Sequence, residues 1–290
     1  MKQTTQHIRA TAKLNLSLWV GAPMDNGYHP IQSVFQEIEF SDQLLISIET
    51  GAGISMSCDH SDVPTTSTNT ILKAHQELLA FPKYQAFLSE NKVLVTLRKQ
   101  IPLGSGLGGG SSNAAAYLKA MNTWCELGLS LDELEEIGAK IGADIPFFIR
   151  GGTALVEGVG EILTPISRGN DLFFVLIFSG DSLSTQEVYD AYDQSGVFSE
   201  ISETQGNAEF LLKNGSYLGR NDLKSVVMAN SKTLSCCEKD VSRVTGLPVS
   251  MSGSGATLFL AFSSQSEAEK VLKGCQKDLP QYQFILTRAV

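Results

Sequence analysis

The chain has 290 residues, 42% of them hydrophobic and 18% charged, with a net charge of −9. This is ordinary globular composition, long enough for one large or two modest domains, and the acidic balance excludes a general nucleic-acid binder, which carries a basic face. The opening segment, broken by Lys13, Asn15 and Ser17, has no apolar core for a signal peptide, and no stretch approaches the ~20 apolar residues that a membrane helix needs.

The five cysteines are odd in number and lack zinc spacing, so Cys236-Cys237 reads as two reduced thiols. A cytoplasmic protein without membrane contact is expected.

In chain order, His7 to Val20 suggests a strand, and Val34 to Glu49 reads as two strands around a Ser41-Asp42 turn. Capping types at Ser67 to Asn69 precede Ile71, Leu72, His75, Leu78 and Leu79 at helical spacing. Val93 to Arg98 is a strand stopped by Pro102. A glycine stretch follows, then a helix with Ala114, Tyr117, Leu118, Met121, Trp124 and Cys125 on one stripe and Gly128 as its stop.

Ser130 and Glu133 stand at capping-box spacing ahead of the next helix, which Gly142 closes. "ADIPFFI" is expected to lead into a loop and strand, and "GGTALVEGVGEILTPI" into a hairpin. Thr164 to Asp171 is a candidate domain joint. The second half has expected strands at Leu172–Phe178, Val249–Ser252, Thr257–Phe262 and Gln283–Thr287. Helices are expected at Thr185–Tyr192, Gly206–Asn214, Val226–Cys237 and Gln265–Lys273, with a surface loop over residues 193–209.

The stretch "PLGSGLGGGSSNA", Pro102 to Ala114, carries the densest chemical signal. Strand, glycine loop and helix start is a layout for anion binding: glycines let N–H groups converge, and the helix terminus adds partial positive charge. Gly104, Gly106 and Gly109 also spell G-x-G-x-x-G, the dinucleotide fingerprint, so a dinucleotide-binding oxidoreductase is an alternative. Against it, Pro102 interrupts the turn and no acidic-ended strand clearly follows at the expected distance. A Walker A loop is excluded, because no lysine follows the last glycine.

Taken together, several stretches resemble the GHMP kinase superfamily. "PLGSGLGGGSSNAA" is similar to its P-x-x-x-G-L-G-S-S-A-like loop, "AKLNLSL" to an A-K-I-N-L opening, and "NGYHPIQSVF" to a D-G-Y-H-x-L segment. "GADIPFFI" resembles G-A-D-V-P-F-F, "SGSGATLF" resembles the C-terminal glycine motif, and "EGVGE" and "NDL" match in order. The glycine loop defines the superfamily. The other motifs are similar to one branch that phosphorylates a cytidine-diphosphate-linked polyol, with mevalonate-type and homoserine kinases as alternatives. Where that branch has Arg-x-Asp-Gly-Tyr-His, this chain reads Met24-Asp25-Asn26-Gly27-Tyr28-His29, and Pro30 follows.

The resemblance implies an α+β fold in two domains. Residues 1–165 would form an ATP-binding half like ribosomal protein S5 domain 2, and residues 166–290 a ferredoxin-like half, with a substrate cleft between. It implies ATP and Mg²⁺, a small-molecule acceptor, no nucleic-acid partner, and a monomer or weak homodimer.

Asp144 is the implied catalytic base; the residues alone favour a turn aspartate bonding its own backbone. Lys13 is its implied partner, with a solvated edge-strand lysine as the alternative. Alternation puts Lys13 on one face with Thr11 and Asn15, and Asn15 would hold substrate. Pro102, Leu103, Gly104, Ser105, Gly106, Leu107, Gly108, Gly109, Gly110, Ser111 and Ser112 would hold the ATP phosphates, Ser111 or Ser112 approaching the metal. Asn69 would contact adenine.

Tyr28 and His29 would meet the cytosine, by stacking and by reading the base edge. Tyr189, with Thr185 nearby, is a second stacker or an ordinary helix-packing residue. Gly253, Ser254 and Gly255 would close over the substrate diphosphate or form a plain turn. His7, His60 and His75 read as structural or surface residues.

Overall fold

The computed structural model describes residues 4–167, 171–201 and 219–290. The chain folds into two compact units built from interleaved segments. One comprises Met1–Ala12, Phe40–Ile101 and Gly108–Gly151; the other comprises Lys13–Glu39, Pro102–Leu107 and Gly152–Val290. Two long strands, β1 (Thr4–Val20) and β2 (Ile31–Thr50), run through both.

In the first unit, β2 pairs antiparallel with β4 (Asn91–Arg98), Gln43 facing Arg98 and Thr50 facing Asn91. β3 (Gly53–Cys58) adds to β4 in parallel. Val93, Val95 and Leu97 alternate inward along β4, the period-2 pattern of a half-buried strand. The helices of this unit are α1 (Thr70–Leu78), α2 (Pro82–Glu90), α3 (Gly109–Trp124), α4 (Leu131–Ala139) and α5 (Ile145–Arg150), with α2 packed on β4 and the other four packed on one another. Ile71, Leu78, Tyr84, Tyr117, Leu118 and Met121 are fully buried.

The second unit pairs the start of β2 with β5 (Thr153–Glu157), and β5 with β6 (Ile162–Pro165), as the expected hairpin. A second, wholly antiparallel sheet is ordered β10-β7-β9-β8. Along the chain it runs β7 (Phe173–Phe178), α6 (Thr185–Ser195), α7 (Lys224–Asn230), α8 (Lys232–Thr245), β8 (Ser250–Met251), β9 (Leu258–Phe262), α9 (Gln265–Asp278) and β10 (Gln283–Arg288). β7 lies inside this sheet with Phe174 to Ile177 fully buried, which accounts for its unbroken apolar run.

Several expectations need correction. Ser41-Asp42 is no turn: β2 is continuous, because the Asp42 carboxylate is anchored inside the fold. Residues 145–150 form a helix, Pro146 supplying the fixed φ that suits a first turn. Val226–Cys237 is two helices. Ser231 breaks them with extended backbone, and its hydroxyl accepts the Leu234 N–H at 3.0 Å.

α3 begins inside the glycine stretch and ends at Trp124, before Gly128. α2 has no counterpart in the sequence reading, and α6 continues through Ser195 into the expected loop. The Ser130–Glu133 capping box is present, both bonds formed. The expected helix Gly206–Asn214 lies outside the described residues, as does part of the candidate joint.

Candidate active site

In the second unit, Lys13 is only 4% exposed, so the solvated edge-strand reading fails. Its Nζ donates to Asn15 Oδ1 and stands 4.3 Å above the Phe35 ring. Asn15 Nδ2 donates to Ser33 Oγ at 3.0 Å. A buried ammonium costs several kcal/mol unless it is paired, and the amide oxygen and aromatic face reduce that cost. The Lys13 backbone N–H donates to the Leu107 carbonyl at 3.0 Å, which fixes the middle of the glycine stretch against β1.

The loop Pro102–Leu107 is held from its other side by the turn 252–257. Ala256 and Thr257 N–H groups donate to the Gly104 and Ser105 carbonyls at 3.3 and 3.2 Å. Gly106 has φ +72°, and a Cβ there would stand 2.1 Å from the Ser252 carbonyl oxygen, so only glycine fits. These contacts hold Gly104 and Gly106, the two glycines that would open a dinucleotide fingerprint, against the turn 252–257. Thr185 Oγ1 lies 3.0 Å from Ser254 Oγ, so two of the expected substrate residues meet.

The other expected aromatic pair divides. Tyr28 is 63% exposed at the tip of a turn, whereas His29 is buried. His29 Nδ1 lies 2.9 Å from the Gly21 carbonyl and Nε2 3.2 Å from the Asp193 carboxylate, so both ring nitrogens face acceptors. Its ring leans on Tyr189 at 5.1 Å between centroids, with Tyr192 and Phe198 beyond. The Met24–Tyr28 turn closes by its own bonds. Met24 N–H donates to the Tyr28 carbonyl at 2.8 Å, and Tyr28 N–H to Asn26 Oδ1 at 3.0 Å. Asn26, a departure from the motif, thus serves as an Asx-turn residue.

In the first unit, Gly108 is a left-handed N-cap (φ 71°) for α3, and Gly109, Gly110 and Ser111 form its first turn. The first N–H groups of a helix have no partner within it, so this turn offers donors to an anion. Ser112 is buried and Ser111 is half-buried, which makes Ser111 the more accessible hydroxyl. Asn69 is spent on its own helix: Oδ1 accepts the Ile71 N–H at 2.9 Å, and Nδ2 donates to the Pro64 carbonyl at 2.7 Å. The next residue, Thr70, donates its hydroxyl to the Gly110 carbonyl at 2.6 Å, tying α1 to the first turn of α3.

Asp144 is half-buried at the N-cap position of α5, and its side chain makes no cap bond to that helix. The close approach of α4 and α5 fixes its neighbour. A Cβ on Gly138 would stand 2.6 Å from Ile145 Cγ2.

Three residues escaped the sequence reading. Asp42, 0% exposed, accepts the Gln100 and Ile101 N–H groups at 2.7 and 2.8 Å and pairs with Lys99 Nζ at 2.7 Å. That ammonium lies 2.9 Å from where a Gly109 Cβ would be, directly behind the α3 first turn. Asn221 donates to the Met251 and Gly253 carbonyls at 2.9 and 2.7 Å and so holds the glycine turn. Ser252, inside the "SGSG" stretch, bonds both Asn15 and Gly106.

The family described as GHMP kinases N terminal domain matches residues 69–152. A 4-diphosphocytidyl-2-C-methyl-D-erythritol kinase of Alkaliphilus oremlandii (strain OhILAs) is 37% identical over 277 residues, covering 93% of this chain and 91% of the relative. The enzyme of that name from Nostoc punctiforme is 35% identical over 282 residues, covering 91% and 89%.

Among solved structures, a 4-(cytidine 5'-diphospho)-2C-methyl-D-erythritol kinase superposes with a TM-score of 0.78 at 25% identity, covering 98% of this chain and 99% of that one. A homoserine kinase from Cytophaga hutchinsonii gives 0.74 at 17% identity, with 100% and 96% covered, a likeness of fold.

Proposed function

This chain belongs to the 4-diphosphocytidyl-2-C-methyl-D-erythritol kinases within the GHMP kinases, and we propose that it transfers the γ-phosphoryl group of ATP to the 2-hydroxyl of that compound. It is a small-molecule kinase of isoprenoid precursor synthesis. In this reading the 2-hydroxyl oxygen bonds to the γ-phosphorus, the bond to the β-phosphate bridging oxygen breaks, and ADP leaves. Asp144 accepts the hydroxyl proton.

Lys13 neutralises charge on the transferred group, and Asn15 orients it and the acceptor. The loop Pro102–Leu107, with Gly108–Ser112, receives the ATP phosphates. The observation that carries the reading is Lys13: an ammonium held inside the fold beside Asn15, on a strand hydrogen-bonded to the glycine loop.

Among the described residues, no three His, Cys, Asp or Glu side chains cluster to make a cation site. A Mg²⁺ ion that takes most of its ligands from phosphates and water suits such a chain, because it needs few protein oxygens. The half-exposed Ser111 hydroxyl is the group that would approach it. When bound, it neutralises phosphate oxygens.

Tyr28 and Tyr189 would flank the cytosine, with His29 fixing the Tyr189 ring rather than offering a free edge. Thr185, Gly253 and Ser254 would face the diphosphate. Asn69 would shape the adenine side through α1. Residues 1–165 are read as the S5-like ATP-binding half. Residues 166–290 are read as ferredoxin-like, supported by the β10-β7-β9-β8 order and the β-α-β-β-α-β run. The described cysteines are all free, in keeping with a cytoplasmic protein, and no described helix is long and apolar enough to cross a membrane.

The test is ADP release with Mg·ATP, comparing the cytidine-linked methylerythritol with mevalonate and homoserine. The reading expects release with the first alone; release with either of the others, and none with the first, would overturn the acceptor assignment.

A further inference from the structure

We propose that the Ser252 hydroxyl is a positioning group that couples the nucleotide side of the site to the acceptor side. The inference rests on the reading just given, in which the glycine loop takes the ATP phosphates and Lys13 and Asn15 serve the acceptor. Ser252 is fully buried. Its Oγ accepts the Asn15 backbone N–H at 3.1 Å and lies 3.0 Å from the Gly106 carbonyl, which receives its proton. Asn15 Oδ1 is a weaker alternative acceptor at 3.4 Å. One hydroxyl thus joins β1, at the residue whose side chain holds the Lys13 ammonium, to the loop that turns its N–H groups towards an anion.

The geometry leaves little slack. The Ser252 carbonyl fills the space that a Gly106 side chain would take, and a Cβ on Gly253 would stand 3.1 Å from Asn15 Oδ1. The turn is held from behind by Asn221, through the Met251 and Gly253 carbonyls. A hydroxyl that donates becomes a better acceptor, so the two bonds strengthen one another. Anything that fixes the Gly106 carbonyl therefore also orders Asn15 and Lys13, and the reverse holds by linkage. A serine serving the turn alone would leave the two ligands indifferent to each other.

The experiment is calorimetric titration of the intact protein with adenylyl imidodiphosphate plus Mg²⁺, and with 4-diphosphocytidyl-2-C-methyl-D-erythritol, each alone and each with the other saturating. Each ligand is expected to tighten the other by about tenfold, within the usual range of coupling. In Ser252→Ala, and in the near-isosteric Ser252→Cys, each ligand alone is expected to bind within about fivefold of the intact protein, while coupling falls below about twofold. Thermal unfolding establishes which variants fold, and Ser252→Cys decides if the alanine variant does not. Full coupling in the folded variants overturns the proposal, as does an intact protein that binds both ligands independently. An intact protein that binds neither ligand defeats the functional reading itself, and this inference with it.

Discussion

Asp42 shows how one side chain can set a loop. A carboxylate with no solvent contact is stable only with its charge paired and its lone pairs filled, and here Lys99 and two backbone N–H groups do this. The three partners, Lys99 to Ile101, lead directly into the glycine stretch. Asp42→Asn leaves the Lys99 ammonium buried without its counter-charge, and is expected to cost about 3–5 kcal/mol in chemical denaturation. Adding Lys99→Met is expected to recover part of that loss; a single variant within about 0.5 kcal/mol of the intact protein would refute this account.

At this scale the sequence was a partial guide. Lys13 and Asn15 are joined by a hydrogen bond, as are Thr185 and Ser254. Asp42, Asn221 and Ser252 work through partners far along the chain, and no local spacing advertises a partner 237 residues away.

Among the elements, α1, α2 and α3 meet through a buried polar cluster. Tyr84 and Tyr117 hydroxyls are 2.6 Å apart, and His75 Nδ1 lies 2.7 Å from Tyr84 and 3.3 Å from Tyr117. Burial pushes both phenols up, so they stay neutral donors. Burial lowers the His75 pKa below its ordinary value of 6.5, so the folded protein binds fewer protons there than the unfolded chain does. This contribution to stability is complete above about pH 6.5 and is lost as pH falls through the lowered value. Chemical denaturation of His75→Gln across pH 5 to 7 should show a flatter dependence than the intact protein; an equal slope would remove His75 as the source.

Helices and strands with clean periodicity were legible, and so was the Ser130 capping box. The misread elements were those where tertiary contacts overrode local chemistry. Asp42 was drawn into a strand, and Ser231 acted as a cap within an apparently single helix. α2 begins at Pro82, a residue that reads as a stop until its place in a first turn is known.

For the whole molecule, the paradox is charge. A chain with 22 basic and 31 acidic residues is read as handling two anionic ligands. Its positive potential is local: an internal lysine, glycine-loop N–H groups and a helix start, none of which needs a favourable net charge. The two units are interleaved, segments of one alternating along the chain with those of the other.

The proposed mechanism makes Asp144 its base, so ADP release with Mg·ATP and the cytidine-linked methylerythritol should be measured for the intact protein and Asp144→Asn, alongside ATP-analogue binding. The account predicts acceptor-dependent release that falls at least about a hundredfold in the variant, with nucleotide binding retained. Turnover in Asp144→Asn within about threefold of the intact protein would contradict the assignment of the base, the step on which the mechanism turns.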